Sequence, residues 1–384
     1  MLINKPKFET DNMPNLFVAS GIFHPESGGP ATYLKEVLPH LQRCGWDVRL
    51  LSYGDSTLSD YPYPVTRIPR QLYPIRLLKY GLASRSGLAW GDVTYTHTID
   101  LPLWGKTQSA RVIKIVGDQA WERCIRKGWI PPDLNIDDFQ AYEGNRQVRW
   151  QKQSRSRQVQ AMDGVIVPSE YLKQMVVGWG VDASKIHVIY NALPSPPVVE
   201  ETQSDIRLSL GWDDRPTVLT VARLHPWKGI DHLITALKTL PDVRLVVAGD
   251  GPDMARLQSL AEPLRDRVIF LGHVPHDDIF RLMRASDGMA LYSGYEGLSH
   301  TILESLQVGT PVLASDKGGN PEVVQDGVNG VLVPYVDGEA LRDGIQRLLN
   351  NRDTYIQNAS HGMARFMFPQ MVAETDRVLK SFLD

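Results

Sequence analysis

Short apolar runs bounded by Gly or Pro alternate along this chain with longer stretches in which apolar residues recur every three or four positions. The first pattern predicts buried strands, the second amphipathic helices. Residues 15–20 read as a strand, 21–30 as a Gly-rich loop, and 31–44 as a helix with Leu34, Val37, Leu38 and Leu41 on one face. Residues 47–53, 93–97, 112–116 and 164–168 read as further strands. Ser169 is placed to cap the helix that follows, and Glu170 suits its first turn. The interval 119–160 is unusually long, and its basic run 146–157 fits a helix. Residues 191–197 are rich in Pro and end the first unit; the polar segment to Asp205 reads as a linker. Beyond it, strands are predicted at or from Thr217, 244–248, 268–271, 288–292 and 311–314, again with helical patterns between them. Such alternation implies parallel sheets covered by helices on both faces. The chain has 384 residues, more than one core comfortably holds. The expected fold is therefore α/β, with two Rossmann-like domains facing across a cleft.

Composition changes this picture little, but charge distribution adds to it. Hydrophobic residues at 42% and charged residues at 22% suit an ordinary globular protein. Cys44 and Cys124 are the two cysteines, without metal-ligand spacing, which fits a reducing, cytoplasmic setting. The polar first 14 residues lack a signal-peptide core and read as a frayed arm, and no apolar run is long enough to cross a bilayer. The net charge of −3 argues against nucleic acid as a partner. Residues 1–200 hold 23 basic and 19 acidic side chains, whereas residues 201–384 hold 18 and 25. The basic excess gathers in residues 65–157, with 16 against 8. There Arg67, Arg70, Arg76, Lys79 and Arg85 interleave with Leu72, Tyr73, Ile75, Leu77, Leu78 and Tyr80. This pattern fits either peripheral contact with an anionic membrane or a solvated helix face.

The candidate chemistry lies mainly in the second half. In Tyr295-Glu296-Gly297-Leu298-Ser299-His300-Thr301-Ile302-Leu303-Glu304, two carboxylates stand eight positions apart. A helix starting near Ser299 points free N–H groups at whatever lies before it, as phosphate binding requires. Carboxylates accept hydrogen bonds from pairs of hydroxyls. Glu296 at the lip and Glu304 inside the helix would thus flank a phosphate with two hydroxyl-binding groups. The same residues also fit a plain helix start whose acidic groups favour the dipole. A second cluster bears on the choice. The strand from Thr217 ends in Arg223-Leu224-His225-Pro226-Trp227-Lys228-Gly229. That puts two cations suited to phosphate oxygens at the carboxyl end of a strand, where open α/β sheets bind ligands.

Arg223, Lys228 and the Glu296–Glu304 pair resemble the signature of family-4 retaining glycosyltransferases of the GT-B fold. Gly249-Asp250-Gly251-Pro252, Leu271-Gly272-His273-Val274, Pro321-Glu322-Val323-Val324 and Asp326-Gly327-x-x-Gly330 follow in that family's order. The likeness covers nearly all of the second half and is looser over the first. It implies an N-terminal acceptor domain over 1–197, a nucleotide-sugar domain over 198–368, and a last helix, 369–384, returning to the first domain. It implies a nucleoside diphosphate sugar (UDP- or GDP-linked) as donor, and a sugar or lipid-linked sugar as acceptor in polysaccharide, lipid-linked oligosaccharide or glycolipid synthesis. No cofactor is expected. No Asp-x-Asp motif stands at a metal-binding position, and Asp137-Asp138 and Asp213-Asp214 read as solvated turn or cap pairs.

By this resemblance Glu304 binds the ribose, Glu296 the donor sugar, and Val274 contacts the base. Arg223 and Lys228 neutralise the departing diphosphate, and Leu298, Ser299 and His300 line the phosphates and sugar, although the family often has Gly and an apolar residue at 299 and 300. Gly28-Gly29 matches the family's Gly-rich loop. The family's catalytic His falls at Gly117 in Lys114-Ile115-Val116-Gly117-Asp118. Asp118 is thereby the candidate to take over part of that role, with His24, His97, Trp121, Glu122 and Arg123 on the acceptor side. A dinucleotide oxidoreductase does not fit, because the loop 21–29 lacks Gly-x-Gly-x-x-Gly. A sugar-nucleotide epimerase shares the fold and stays as the alternative, as does transfer to a small soluble acceptor.

Overall fold

The computed structural model describes residues 13–383 except 27, 59, 106–108, 193 and 195–197. The expectation for the N-terminal arm up to residue 12, and that for the linker at 193 and 195–197, lie outside the described residues. Two parallel sheets carry the chain. The first holds β1 (Asn15–Ser20), β2 (Asp47–Tyr53), β3 (Val65–Ile68), β4 (Val93–Thr96), β5 (Ala110–Lys114), β6 (Gly164–Val167) and β7 (Ile186–Val188), in the order β3-β2-β1-β4-β5-β6-β7. The second holds β8 (Thr217–Val221), β9 (Arg244–Ala248), β10 (Val268–Gly272), β11 (Gly288–Leu291), β12 (Val312–Ser315) and β13 (Gly330–Val333), in the order β10-β9-β8-β11-β12-β13. In each sheet the order reverses beside the first strand, and the crevice at such a switch point is where α/β folds bind ligands.

The strand expectations hold for the central strands and miss β3, β7 and β13. All three are short edge strands, three or four residues long; polar residues interrupt the apolar run in β3 and β7, whereas β13 is apolar and mostly buried. The long interval 119–160 resolves into three helices, Gln119–Arg126, Ile136–Ala141 and Arg146–Gln160. The inner face of the last is Val148, Gln151, Arg155 and Val159, so its polar members hide a helical stripe.

Helix Gly29–Arg43 buries Leu34, Val37, Leu38 and Leu41 against Leu16, Val18 and Val48 of the first sheet. The last helix, Phe368–Lys380, crosses back and adds Met371, Val372, Val378 and Leu379 to the same core. It is pinned where the Trp46 indole N–H donates to Asp376 at 2.7 Å and the Lys380 ammonium to the Cys44 carbonyl at 3.0 Å. Truncating a buried leucine such as Leu38 to Ala in a core of this kind costs about 2–5 kcal/mol. The sheets meet at a seam. The Ser169 hydroxyl donates to the Gly297 carbonyl at 2.7 Å, and Glu322 accepts the N–H groups of Glu170 and Tyr171 at 2.9 Å. Glu322 thus caps a first-sheet helix (Glu170–Gly178) from the second half of the chain, with its charge at the positive end of the dipole.

Candidate active site

The cleft beside this seam consists of two adjoining chambers, of about 540 and 1050 Å³, that share Gly28, Val221, Ala222, Arg223 and Thr301. β8 delivers the first cations. After the strand the chain makes a tight turn over Pro226–Lys228 and reverses at Gly229, whose φ is 63°. A Cβ at 229 would stand 2.0 Å from the Tyr292 carbonyl oxygen, so only glycine permits the close approach of the two loops. That approach sets the Lys228 ammonium 2.5 Å from Glu296 Oε1 in a partly buried pair. Arg223 stays exposed in the cleft and has no hydrogen-bond partner among the described residues.

Ser299 caps helix His300–Gln307 by accepting the Ile302 N–H at 3.3 Å. The cap occupies the Ser299 hydroxyl. The N–H groups of His300 and Thr301 keep no partner among the described residues and open onto the smaller chamber. One and a half turns on, Glu304 is 7% exposed and faces the larger chamber, where its Oε1 meets His276 Nε2 at 2.8 Å. That bond raises the His276 pKa. Val274, Asp250, Phe280 and Gln307 line the same chamber. Burial pushes the His300 imidazole down to about 4, helped by the charge of Lys114, so at neutral pH it is an uncharged hydrogen-bonding group.

Of the expected residues, Gly28, Gly29, His97, Arg223, Lys228, Glu296, Leu298, Ser299 and His300 line the smaller chamber; His24, Val274 and Glu304 line the larger. His24 is held by Tyr61 at 2.9 Å. Three acceptor-side expectations do not hold. Asp118 is fully buried and away from the cleft. Its Oδ1 caps helix Gln119–Arg126 through the Ala120 and Trp121 N–H groups, and its Oδ2 accepts from Arg155 and Gln140. No oxygen is left for a sugar. Trp121 is buried, gives its indole N–H to the Leu134 carbonyl at 2.9 Å, and packs edge-on against Trp227 and Tyr295. Arg123 is spent on Asp100 at 2.7 Å and Gln151 at 3.0 Å. The space at Gly117 is also taken, because a Cβ there would meet the Tyr295 hydroxyl at 2.9 Å. A tyrosine from the second sheet thus occupies the slot where the family pattern puts a histidine.

The first-sheet wall holds Glu122, an acceptor-side candidate, together with three residues that the sequence reading did not single out: Tyr33, Lys114 and Asn191. Desolvation pushes the Glu122 carboxyl up, and the buried Asp118 adds to the shift. One signal was present. Lys114 is a lone charge near the carboxyl end of an otherwise apolar strand run, where a buried charge needs a reason.

Two family models match: "Glycosyltransferase Family 4" over residues 27–194 and "Glycosyl transferases group 1" over residues 202–362. Among curated proteins, the alpha-D-kanosaminyltransferase of Streptomyces kanamyceticus is 34% identical over 170 residues, which is 42% of this chain and 44% of that protein. The chain spans about half the length of the curated relatives it matches. Among solved structures, sucrose-phosphate synthase from Thermosynechococcus elongatus superposes with a TM-score of 0.79 at 21% identity, covering 96% of this chain and 98% of that one. HepE of Anabaena, solved with UDP and glucose, gives 0.75 at 22% identity over 96% of this chain and 100% of that one. At these identities the structural likeness establishes the GT-B architecture. With both family models matched in sequence over its two halves, the chain belongs to the group 1 and family 4 glycosyltransferases.

Proposed function

We propose that this chain moves a sugar from a UDP- or GDP-linked donor to a hydroxyl acceptor with retention at the anomeric carbon. The observation that carries the reading is Lys228 held 2.5 Å from Glu296 beside an open helix N-terminus, with Glu304 in the adjoining chamber. In this reading residues 198–368 hold the donor, and residues 1–197 with 369–384 hold the acceptor. Glu304 accepts the two ribose hydroxyls, in exchange for or beside His276. The base lies against Val274. Arg223, Lys228 and the N–H groups of His300 and Thr301 face the diphosphate, and Glu296 and the neutral His300 bind hydroxyls of the sugar. Positive groups aimed at the leaving diphosphate lower the barrier to breaking the bond from its oxygen to the anomeric carbon. The acceptor oxygen then bonds to that carbon on the same face and gives its proton to the departing diphosphate, which leaves as the nucleoside diphosphate. HepE of Anabaena, solved with UDP and glucose, supports a uridine donor. The two cations stand where a metal ion would otherwise neutralise the diphosphate, so we take the reaction to need no metal and no cofactor.

Peripheral membrane contact belongs to the same proposal and would place the enzyme at the cytoplasmic face. Among the described residues no helix is long and apolar enough to cross a membrane. Leu72, Tyr73, Ile75, Leu78 and Leu82, at and along helix Tyr73–Trp90, are exposed beside Lys79 and Arg85. The other basic residues of this stretch are engaged: Arg67 with the His24 carbonyl, Arg70 with Glu26, and Arg76 over the rings of Tyr53 and Tyr73. The surface is therefore more apolar than basic. A polysaccharide or lipid-linked oligosaccharide acceptor fits it.

The test is a panel of UDP- and GDP-sugars, read by calorimetric binding and by hydrolysis, with the anomer of the first product followed by NMR. One donor should bind and turn over with its configuration kept, equally well in EDTA. An inverted product would remove the retaining mechanism. Loss of activity in EDTA that a divalent ion restores would remove the metal-free one.

A further inference from the structure

Lys114 is 2% exposed at the end of β5, and its ammonium has no hydrogen-bond partner among the described residues. It lies 3.8 Å from the centre of the Tyr33 ring, whose hydroxyl is turned to Tyr95 at 3.3 Å and Thr375 at 3.5 Å. The other groups that feel its charge are His97 and His300, neither of them an acid. His97 is 3% exposed, and among the described residues its Nε2 has no partner and the buried Asn191 amide oxygen has no donor. All four side chains, Tyr33, His97, Lys114 and Asn191, line the smaller chamber beside the start of helix Gly29–Arg43, which has no side-chain cap among the described residues. A buried cation without a counter-ion is costly, and the face of an aromatic ring compensates it only in part. Removal from water lowers the Lys114 pKa, and Tyr33, the one group that acts against the fall, offsets it only in part. The carboxylates of the cleft do not answer it: Glu296 is committed to Lys228 and Glu304 to His276, and the charges that act on Glu122 are those of Asp118, Arg126, Lys228 and Arg223.

We propose that Lys114, with His97 and Asn191, is a subsite for an oxyanion other than the donor diphosphate, a phosphate or carboxylate carried by the acceptor or by the transferred sugar. The inference rests on the donor reading above, which assigns the diphosphate to Arg223, Lys228 and helix His300–Gln307 on the opposite wall. The Lys114 ammonium would bond one oxygen of the anion. His97 in the tautomer with Nε2–H would donate to a second. The Asn191 amide, whose O and N positions interchange by a half-turn, would present its NH2 to the anion. The uncapped N-terminus of helix Gly29–Arg43 adds a favourable dipole.

The experiment uses the full chain at pH 7.5 and constant ionic strength. UDP and GDP are titrated first, to read the donor site by itself. Sodium phosphate and sodium glucuronate are then titrated separately, into free protein and into protein saturated with nucleotide. The variants Lys114→Met and Lys114→Gln are compared with wild type, with Arg223→Ala as the control on the other wall. One of the two anions should bind wild type in the presence of nucleotide, at least tenfold more weakly in both Lys114 variants and unchanged in Arg223→Ala. Phosphate binding identifies a phosphorylated substrate, and glucuronate binding an acidic sugar. Nucleotide affinity should stay within twofold in the Lys114 variants, and their melting temperatures should match or exceed wild type, because a buried unpaired charge has been removed. Using two replacements of different polarity keeps the test open if one fails to fold. Equal anion affinity with and without Lys114, displacement of the anion by nucleotide, or no binding of either anion to wild type at millimolar concentration would each overturn the subsite. A wild-type chain that binds no nucleotide overturns the donor reading instead, and the titrations into free protein still read Lys114.

Discussion

The two walls of the cleft solve the problem of holding charge in opposite ways. On the second-sheet wall the more buried charges are balanced at home, Lys228 against Glu296 and Glu304 against His276, while Arg223, which has no partner among the described residues, is exposed to water. On the first-sheet wall Lys114 is buried without an acid, and the balanced pair, Asp118 with Arg155, has been withdrawn behind the surface. A wall of paired charges is preorganised for a ligand with fixed demands, such as a nucleotide. A wall with an unanswered charge is where the proposed anion subsite would take its ligand. Buried pairs and buried cleft charges can look alike in sequence, and substitutions separate them.

The largest effect is expected where the first wall hides its pair. Replacing Arg155 by Ala leaves the fully buried Asp118 carboxylate uncompensated, and such a loss costs about 3–5 kcal/mol. Asp118→Asn keeps the cap but strands the guanidinium, so it should destabilise as well, unlike an asparagine in a simple capping position. Denaturant unfolding checks both. The fraction of Asp118→Asn that stays folded should transfer sugar at close to the wild-type rate, and a catalytic defect exceeding the loss of folded protein would return Asp118 to the chemistry. The second wall should behave the other way. Lys228→Ala is expected to lower turnover by about 10²–10³, or roughly 2.7–4 kcal/mol, since the interaction counts most as the diphosphate leaves. Its unfolding midpoint should move little, because the pair is only partly buried and lies over an open cleft. Paired rate and stability measurements on both variants decide whether the contrast between the walls is real.

What could be read from the sequence follows the same divide. The donor wall is built from two short loops, Arg223 to Gly229 and Tyr295 to Ser299, each with its chemistry packed into a few consecutive residues. Local spacing shows such a site. The first-sheet wall gathers Tyr33, His97, Lys114 and Asn191 from a helix, two strand ends and the exit of the first sheet, and no window of sequence contains them together. Asp118 misled for a related reason: a carboxylate at a strand end just before a helix serves equally as a cap or as a catalyst. Arg155, which decides between them, lies 37 positions away on a helix with a polar inner face. Gly117 was legible as a departure, but that Tyr295 fills its space depends on how the two sheets approach each other.

An effect on binding is expected at Glu304. Glu304→Ala removes an acceptor for two ribose hydroxyls, and hydrogen bonds to a charged group are each worth about 1.5–3 kcal/mol. Affinity for free UDP or GDP should therefore fall by about 10²-fold or more, with affinity for inorganic anions at the first wall untouched. His276→Asn should change nucleotide affinity much less, since its exposed ring is only a stand-in partner for the carboxylate. If His276→Asn costs as much as Glu304→Ala, the pair acts as one unit and the second wall depends on that histidine more than the geometry implies.

The smallest effect couples the walls. His300 belongs to the second, and its imidazole is held down to about 4 first by burial and then by Lys114 of the first. In the unfolded chain it titrates near 6.5, so between about pH 6.5 and 4 the unfolded state binds a proton that the native state refuses. Its contribution to stability is thus present at neutral pH, is lost as pH falls through that window, and levels off below it. His276, with a raised pKa, has the opposite sign, so the comparison must be made by difference. Water reaching His300 through the cleft screens the effect, leaving about 1 kcal/mol between pH 7 and pH 5 as the expected difference between wild type and His300→Asn. In Lys114→Met the His300 ring, followed by NMR, should titrate at a higher pH than in wild type but still below 6.5, because burial remains. An unmoved His300 titration would mean that the unanswered charge of the first wall does not reach across the cleft, and the two walls would then be independent sites.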